Sequence, residues 1–86
     1  MPSVRNIQFT KLLKAEGRIR EFNFRKSVTG GKIFFNIDVT DDRNNRILFC
    51  MEKVESIWKI QPKELPGWIT TNESNFCGLI EEEFQS

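Results

Sequence analysis

The chain has 86 residues, a mass of 10.1 kDa, 38% apolar residues and a formal net charge of +1. A chain of this length forms one core, which excludes a catalytic domain with a separate regulatory domain. It has no histidine and only two cysteines, which excludes Ser-His and Cys-His mechanisms and a disulfide framework. No window has the roughly 20 apolar residues that span a bilayer, so we expect a cytoplasmic protein with no membrane partner.

The near-neutral charge hides two halves of opposite sign. Residues 1–32 hold eight Lys or Arg against two Glu, and residues 33–86 hold five Lys or Arg against ten Asp or Glu. This split fits a binding face for a polyanion. It also fits pairing of the two halves within the fold or across a dimer.

The N-terminal stretch fits neither of the two common periods well. Ile7 and Phe9 alternate as in a strand, whereas Phe9, Leu12 and Leu13 have the spacing of a helix. We predict a strand or an extended arm over residues 1–17.

A β-meander is predicted over residues 18–61. Alternating segments at 18–28 and 32–40 flank Gly30 and Gly31, which tolerate the positive φ angles of a tight hairpin turn. The predicted opposing pairs are Val28 with Ile33, Lys26 with Phe35, Phe24 with Ile37, and Phe22 with Val39. Three of the four pairs are apolar, so this face is the predicted core.

A third strand is predicted at 46–54, after a turn rich in Asp and Asn, and a fourth at 57–61. A three-residue loop that ends with Asn45 in the left-handed region predicts two opposing pairs. These pairs are Val39 with Phe49, and Ile37 with Met51. This register keeps the apolar side chains on one face.

A Pro/Gly-containing connection at 62–71 precedes a predicted helix at 72–85. The helix carries an apolar stripe at i, i+3, i+4 and i+8, and three polar residues can cap its start. The stripe is Phe76, Leu79, Ile80 and Phe84, and the candidate caps are Thr71, Asn72 and Ser74. The expected fold is a single α+β domain over 1–86, with an antiparallel meander of four or five strands and one C-terminal helix packed on one face.

The helix ends in an acidic run that is unfavourable against the helix dipole. Glu81, Glu82 and Glu83 lie where the last carbonyl groups already carry partial negative charge. The run therefore predicts a basic partner for this end of the helix. Trp68, after the Pro-Gly step, is predicted to fill the gap between helix and sheet.

One helix covers only one face of the sheet, so the second face needs another explanation. In one interpretation the N-terminal segment crosses this face and buries it. In the other a partner covers it, most simply a second copy, which gives a homodimer. The segment would use Val4, Ile7, Phe9 and Leu12, and the candidate interface residues are Phe34, Leu48 and a half-exposed Trp58.

The first hairpin interleaves cations with aromatic rings, a pattern typical of surfaces that bind single-stranded nucleic acid. The candidate phosphate contacts are Arg18, Arg20, Arg25, Lys26 and Lys32. The hairpin register argues against ring stacking on bases, because it places Phe22 and Phe24 in the core.

A meander followed by one helix, with this basic first hairpin, resembles the single-stranded-DNA-binding transcriptional coactivator fold that plant Whirly proteins share. The resemblance is one of topology and covers residues 18–84. It implies a dimer that binds single strands along its sheets.

The sequence shows no candidate catalytic, metal-binding or cofactor-binding residues, because no nucleophile and base or ligand cluster stands at a recognised spacing. We therefore predict a non-enzymatic interaction module that self-associates. The alternative is a protein that binds single-stranded nucleic acid through its basic first hairpin.

Overall fold

The computed structural model of the chain describes residues 7–85, with side chains up to residue 83. The elements are β1 (Gln8–Ala15), β2 (Arg18–Thr29), β3 (Lys32–Thr40), β4 (Arg46–Val54), β5 (Ile57–Ile60), the one-turn helix α1 (Gly67–Thr70) and helix α2 (Glu73–Gln85). All five strands form one antiparallel sheet in chain order, so each strand pairs with its sequence neighbours. The predicted α+β architecture with a C-terminal helix is confirmed, and the sheet has five strands.

The β2–β3 hairpin has the predicted register. Val28 lies opposite Ile33, and Phe24 lies opposite Ile37. The turn residues Gly30 and Gly31 have φ of 57° and 79°, in the left-handed region that glycine adopts without a steric cost. The two glycines therefore fix the register of the central pair of strands.

The predicted β3–β4 register is wrong by two residues. Val39 lies opposite Ile47 rather than Phe49, and Ile37 lies opposite Phe49 rather than Met51. A shift of two residues preserves the buried face, because side chains alternate with a period of two.

The cause of this shift is a longer loop organised by Asp41. Its carboxylate accepts the backbone N–H groups of Arg43 and Asn45, at 2.9 and 2.8 Å. The left-handed residue is Asn44, with φ of 65°, and not Asn45. The last strand pair is therefore Thr40 with Arg46.

Helix α2 packs on one face of the sheet, which we call the inner face. The ring of Phe76 lies 5.1 Å from that of Phe22 and 5.6 Å from that of Phe49, between centroids. The buried core is Phe22, Phe24, Phe35, Ile37, Val39, Phe49, Met51, Trp58, Ile69, Phe76 and Ile80. The predicted helix stripe is confirmed for Phe76 and Ile80, and Leu79 is half-buried against the core. The Phe84 side chain lies outside the described residues.

Asn72 and Trp68 join the helix to the sheet. Asn72 stands just before α2, where its Nδ2 donates to the carbonyl of Trp68 at 2.7 Å and its Oδ1 accepts from Asn75 Nδ2 at 2.7 Å. Trp68 packs against the core, with its ring centroid 6.4 Å from that of Phe22. The predicted contact of Trp68 with the core is confirmed, and its place between helix and sheet stays a prediction.

Residues 7–15 of the N-terminal segment do not cross the second face of the sheet. Residues 8–15 form β1, which pairs with β2 at the edge of the sheet, and Phe9 and Leu13 pack toward the core. Leu12 points the other way and is 65% exposed. The interpretation in which Ile7, Phe9 and Leu12 cover this face is therefore wrong, and Val4 lies outside the described residues.

None of the helices in residues 7–85 has the length and apolar character needed to cross a membrane.

Candidate interaction surface

The face of the sheet opposite α2, which we call the outer face, is not covered by any element of residues 7–85. Large apolar side chains stand exposed on it at two ends. Ile19 and Leu12 are diagonal neighbours across β1 and β2, and Val54 lies directly opposite Ile57 across β4 and β5. Leu48 is 52% exposed between these ends, and Phe34 is half-buried. The outer face is thus more apolar than a surface that only meets water.

A row of polar side chains crosses the middle of the outer face. Thr10 Oγ1 donates to Asn23 Oδ1 at 2.7 Å, and Asn23 Nδ2 donates to Asp38 Oδ1 at 2.9 Å. Arg46 completes the row, with its guanidinium 3.0 Å from Asp38 Oδ2. The row links four adjacent strands through side chains alone.

Asp38 is the charged centre of this row. Partial burial raises the pKa of Asp38, but hydrogen bonds from Asn23 and Arg46 and the charges of Arg46 and Arg25 outweigh that effect. The net result is a pKa below the ordinary value for aspartate. Asp38 is therefore ionised at neutral pH and holds the row together.

Two grooves follow the outer face on either side of Arg25. One has a volume of about 310 Å³ and includes Thr10, Asn23, Asp38 and Arg46 in its lining. The other has a volume of about 480 Å³ and includes Asn36, Leu48, Cys50 and Lys63. The Lys63 ammonium donates to the Leu48 carbonyl and so holds the segment after β5 against this groove. Both grooves are open, and the one beside Thr10 is mainly polar, which suits a contact surface better than an enclosed small-molecule site.

Cys50 is the nucleophilic side chain on the outer face. Burial raises the pKa of its thiol, and the negative charge of Glu52 raises it further. A thiol with a raised pKa is protonated at neutral pH and is a poor nucleophile.

In residues 7–85, no group of three His, Cys, Asp or Glu side chains is placed to hold a metal ion.

The structure does not bring the five predicted phosphate contacts together. By strand alternation, Arg20 and Lys26 lie on the same side as Phe22 and Phe24, which is the inner face, whereas Arg25 lies on the outer face. Lys32 stands exposed beside the hairpin turn. Arg18 lies at the other end of β2 and pairs with Asp42 at 2.5 Å.

The prediction that Arg20 is a surface contact is wrong, because its side chain is 6% exposed. Its Nε donates to the Ala15 carbonyl at 3.1 Å, and its guanidinium lies 3.2 Å from Asp42. The Trp68 ring lies 4.2 Å from the guanidinium carbon, in cation–π geometry. Arg20 therefore serves the fold, where these partners compensate its buried charge.

Trp58 is likewise not half-exposed, since only 2% of it is accessible. It lies on the inner face, with its ring 5.2 Å from that of Phe35, and its Nε1 donates to Glu81 at 2.8 Å. Strand β5 is short, but α2 lies against it and covers this position. Of the predicted interface residues, Phe34 and Leu48 remain on the open outer face.

The acidic end of α2 finds basic partners within the chain. Glu81 lies 3.6 Å from the Lys53 ammonium, and Glu83 lies 3.5 Å from the Lys11 ammonium. The Lys11–Glu83 and Arg18–Asp42 pairs each join the basic half of the chain to the acidic half. Pairing within the fold thus accounts for part of the charge split.

The two edges of the sheet differ in what they leave open. The N–H of Lys26 donates to the carbonyl of Ile7 at 2.9 Å, which sets the alternation along β1. By that alternation, the backbone groups of Gln8, Thr10, Leu12 and Lys14 point away from β2. None of the described strands pairs with this side of β1.

At the opposite edge, β5 has only four residues. Its Ile60 N–H points outward and donates to the Glu73 carboxylate at 2.8 Å, in the first turn of α2. Pro62 follows one residue after Gln61, and it has no N–H with which to extend the ladder. The β5 edge is therefore closed, whereas the β1 edge is open.

Sequence reasoning identified the outer face but did not identify this difference between the edges. The signal in β1 was the alternation of polar Gln8 and Thr10 with apolar Phe9, which helical spacing at Leu12 and Leu13 obscured. The role of Glu73 had no local signal, because its partner Ile60 lies on another element.

Comparisons with protein-family models, with curated proteins and with solved structures give no match to this chain. The resemblance to the Whirly-type fold accordingly stays a prediction. A proposal for the function of this chain therefore rests on its fold, its outer face and its two sheet edges.

Proposed function

We propose that this protein is a non-enzymatic interaction module that associates with itself. The observation that carries the proposal is the open outer face with its exposed apolar side chains, bordered by an open β1 edge. A monomer this small seldom leaves both a sheet face and a long strand edge uncovered, because each favours association.

Several features of the described residues support a binding role over a catalytic one. The two grooves are open rather than enclosed, the Cys50 thiol is protonated, and Glu81 and Glu83 of α2 pair with lysines of the same chain. The proposal also includes a cytoplasmic location, in keeping with two cysteines that are free.

Sedimentation velocity of the full chain, from micromolar to near-millimolar concentration, tests self-association. We expect the weight-average mass to rise from 10.1 kDa toward twice that value as concentration increases. A mass that stays at 10.1 kDa throughout would contradict the proposal.

The nucleic-acid alternative has a test of its own. Fluorescence anisotropy with a labelled single-stranded oligonucleotide reports binding, and contact with phosphates would make the affinity fall steeply with salt. We expect weak binding, because Arg20 is buried and the remaining cations lie on different sides of the sheet. Tight, salt-sensitive binding by a monomeric chain would support the alternative.

A further inference from the structure

The asymmetry between the two edges restricts how copies of this chain can join through their sheets. Joining β1 of one copy to β5 of the next would build an open-ended fibre. The Glu73 carboxylate already accepts the Ile60 N–H, and α2 lies against β5, so that edge offers no ladder to a second chain. Pairing of β1 with β1 is the remaining arrangement, and a two-fold axis closes it as a dimer.

Charge selects the register of such a pair. Centring the antiparallel pair on Lys11 or on Leu12 keeps nearly the whole of β1 in the ladder, as residues 8–14 or 9–15. The first choice places two Lys11 side chains directly opposite each other, which is destabilising. The second places Leu12 opposite Leu12, Thr10 opposite Lys14, and Lys11 opposite Leu13, and it opposes no like charges.

The register centred on Leu12 also covers an exposed apolar side chain, that of Leu12 itself. Leu12, which is 65% exposed, would come beside its counterpart at the joint, while its equally exposed diagonal neighbour Ile19 stays one strand away from the joint on β2. The half-buried Phe9 and Leu13 would gain cover on the inner face. A contact made by one strand pair and a few side chains is small, so a weak, micromolar dimer is expected.

We infer that two copies join β1 to β1 in antiparallel orientation about Leu12, forming one continuous ten-stranded sheet. This inference rests on the proposed self-association and specifies its partner surface. The outer faces of the two copies then form one surface, with Leu12 at its centre and Leu48 away from the joint.

Cysteine cross-linking tests the register directly. In a chain with Cys50→Ser and Cys77→Ser, Leu12→Cys places two thiols on a hydrogen-bonded pair with Cα atoms about 5.5 Å apart, within disulfide range. Leu48→Cys is the matched control, because Leu48 is also an exposed leucine of the outer face. Lys11→Cys tests the other register, since in the Leu12-centred pair its own counterpart is a diagonal neighbour roughly 7–8 Å away.

We expect covalent dimers on a non-reducing gel from Leu12→Cys, and almost none from the other two variants under mild oxidation. Faster cross-linking of Lys11→Cys or Leu48→Cys than of Leu12→Cys would overturn the inference. If the wild-type chain still dimerised in that case, the proposed function would stand with a different interface. A chain that never dimerises would contradict both.

A proline variant tests the backbone contact without a thiol. The Leu12 N–H points away from β2, so Leu12→Pro removes a donor to the second copy and leaves the β1–β2 ladder with all its donors. We expect the dissociation constant of the dimer to rise at least tenfold, with Leu48→Ala as the unchanged control. A folded Leu12→Pro chain that dimerises like wild type would contradict the inference.

Discussion

The inner and outer faces of the sheet are held by different forces. On the inner face, closely packed rings and branched side chains exclude water, as with Phe76 against Phe22 and Phe49. On the outer face, hydrogen bonds connect Thr10 to Asp38 through Asn23, and the apolar side chains around them are exposed. The comparison indicates that the inner face supplies most of the stability. The outer face can therefore carry exposed apolar residues that the core does not require.

The largest expected effect on stability distinguishes Phe35 from Phe34, two neighbouring phenylalanines on opposite faces of the sheet. Phe35 is fully buried against Trp58, so Phe35→Ala should lower the free energy of unfolding by about 3–5 kcal/mol. Phe34→Ala, one residue away on the outer face, should cost less than about 1.5 kcal/mol because Phe34 is only half-buried. Urea unfolding followed by tryptophan fluorescence measures both. Equal losses would show that the outer face is part of the core.

An intermediate effect is expected for the buried cation of the inner face. Arg20→Lys keeps the charge but loses the planar group that lies over Trp68 and reaches both Ala15 and Asp42. We expect a loss of about 1–3 kcal/mol in the free energy of unfolding.

Arg18→Lys is the matched control, because Arg18 pairs with the same Asp42 but its side chain is 65% exposed. Its loss should stay within about 0.5 kcal/mol. If the two variants lost equal stability, the burial of Arg20 would not matter to the fold.

The smallest effect concerns the polar row of the outer face and depends on pH. The folded pKa of Asp38 lies below its unfolded value of about 3.9, so its ionised form stabilises the fold above that pH. The contribution is lost as pH falls through the unfolded value to the lower folded pKa. Asp38→Asn should therefore cost roughly 1 kcal/mol near neutral pH and flatten the decline in stability below about pH 4.

Urea unfolding of wild type and variant along a pH series measures this difference. Asp42, whose pKa is lowered mainly by hydrogen bonds from Arg18 and Arg20, supplies a second part of the acid dependence. Asp38→Asn should therefore leave part of the slope in place. A variant with the full wild-type slope would show that the polar row adds no stability.

The sequence was sufficient where a local feature fixes the geometry. Gly30 and Gly31 set the β2–β3 turn, and with it the pairs that define the inner face. The spacing of Phe76 and Ile80 likewise identified the buried side of α2. These features depend only on residues that are close together in the chain.

The sequence was insufficient where a contact joins distant residues. The burial of Arg20 depends on Asp42 and Trp68, and that of Trp58 depends on Glu81, all more than 20 residues away in the chain. The β3–β4 register depends on which backbone groups the Asp41 carboxylate accepts, and a pattern of Asp and Asn does not specify them. The open β1 edge depends on the pairing of all five strands, which puts β1 at one end of the sheet.

Through Glu73, the position of α2 determines whether the β5 edge of the sheet is blocked. Its carboxylate accepts a hydrogen bond from the Ile60 N–H, so it blocks the β5 edge only while the helix stays in place. If the first turn of α2 unwound, the Ile60 N–H would be a free donor, and the sheet would have open edges at both β1 and β5. The first turn of this helix would therefore prevent head-to-tail addition of further chains to the proposed β1–β1 dimer.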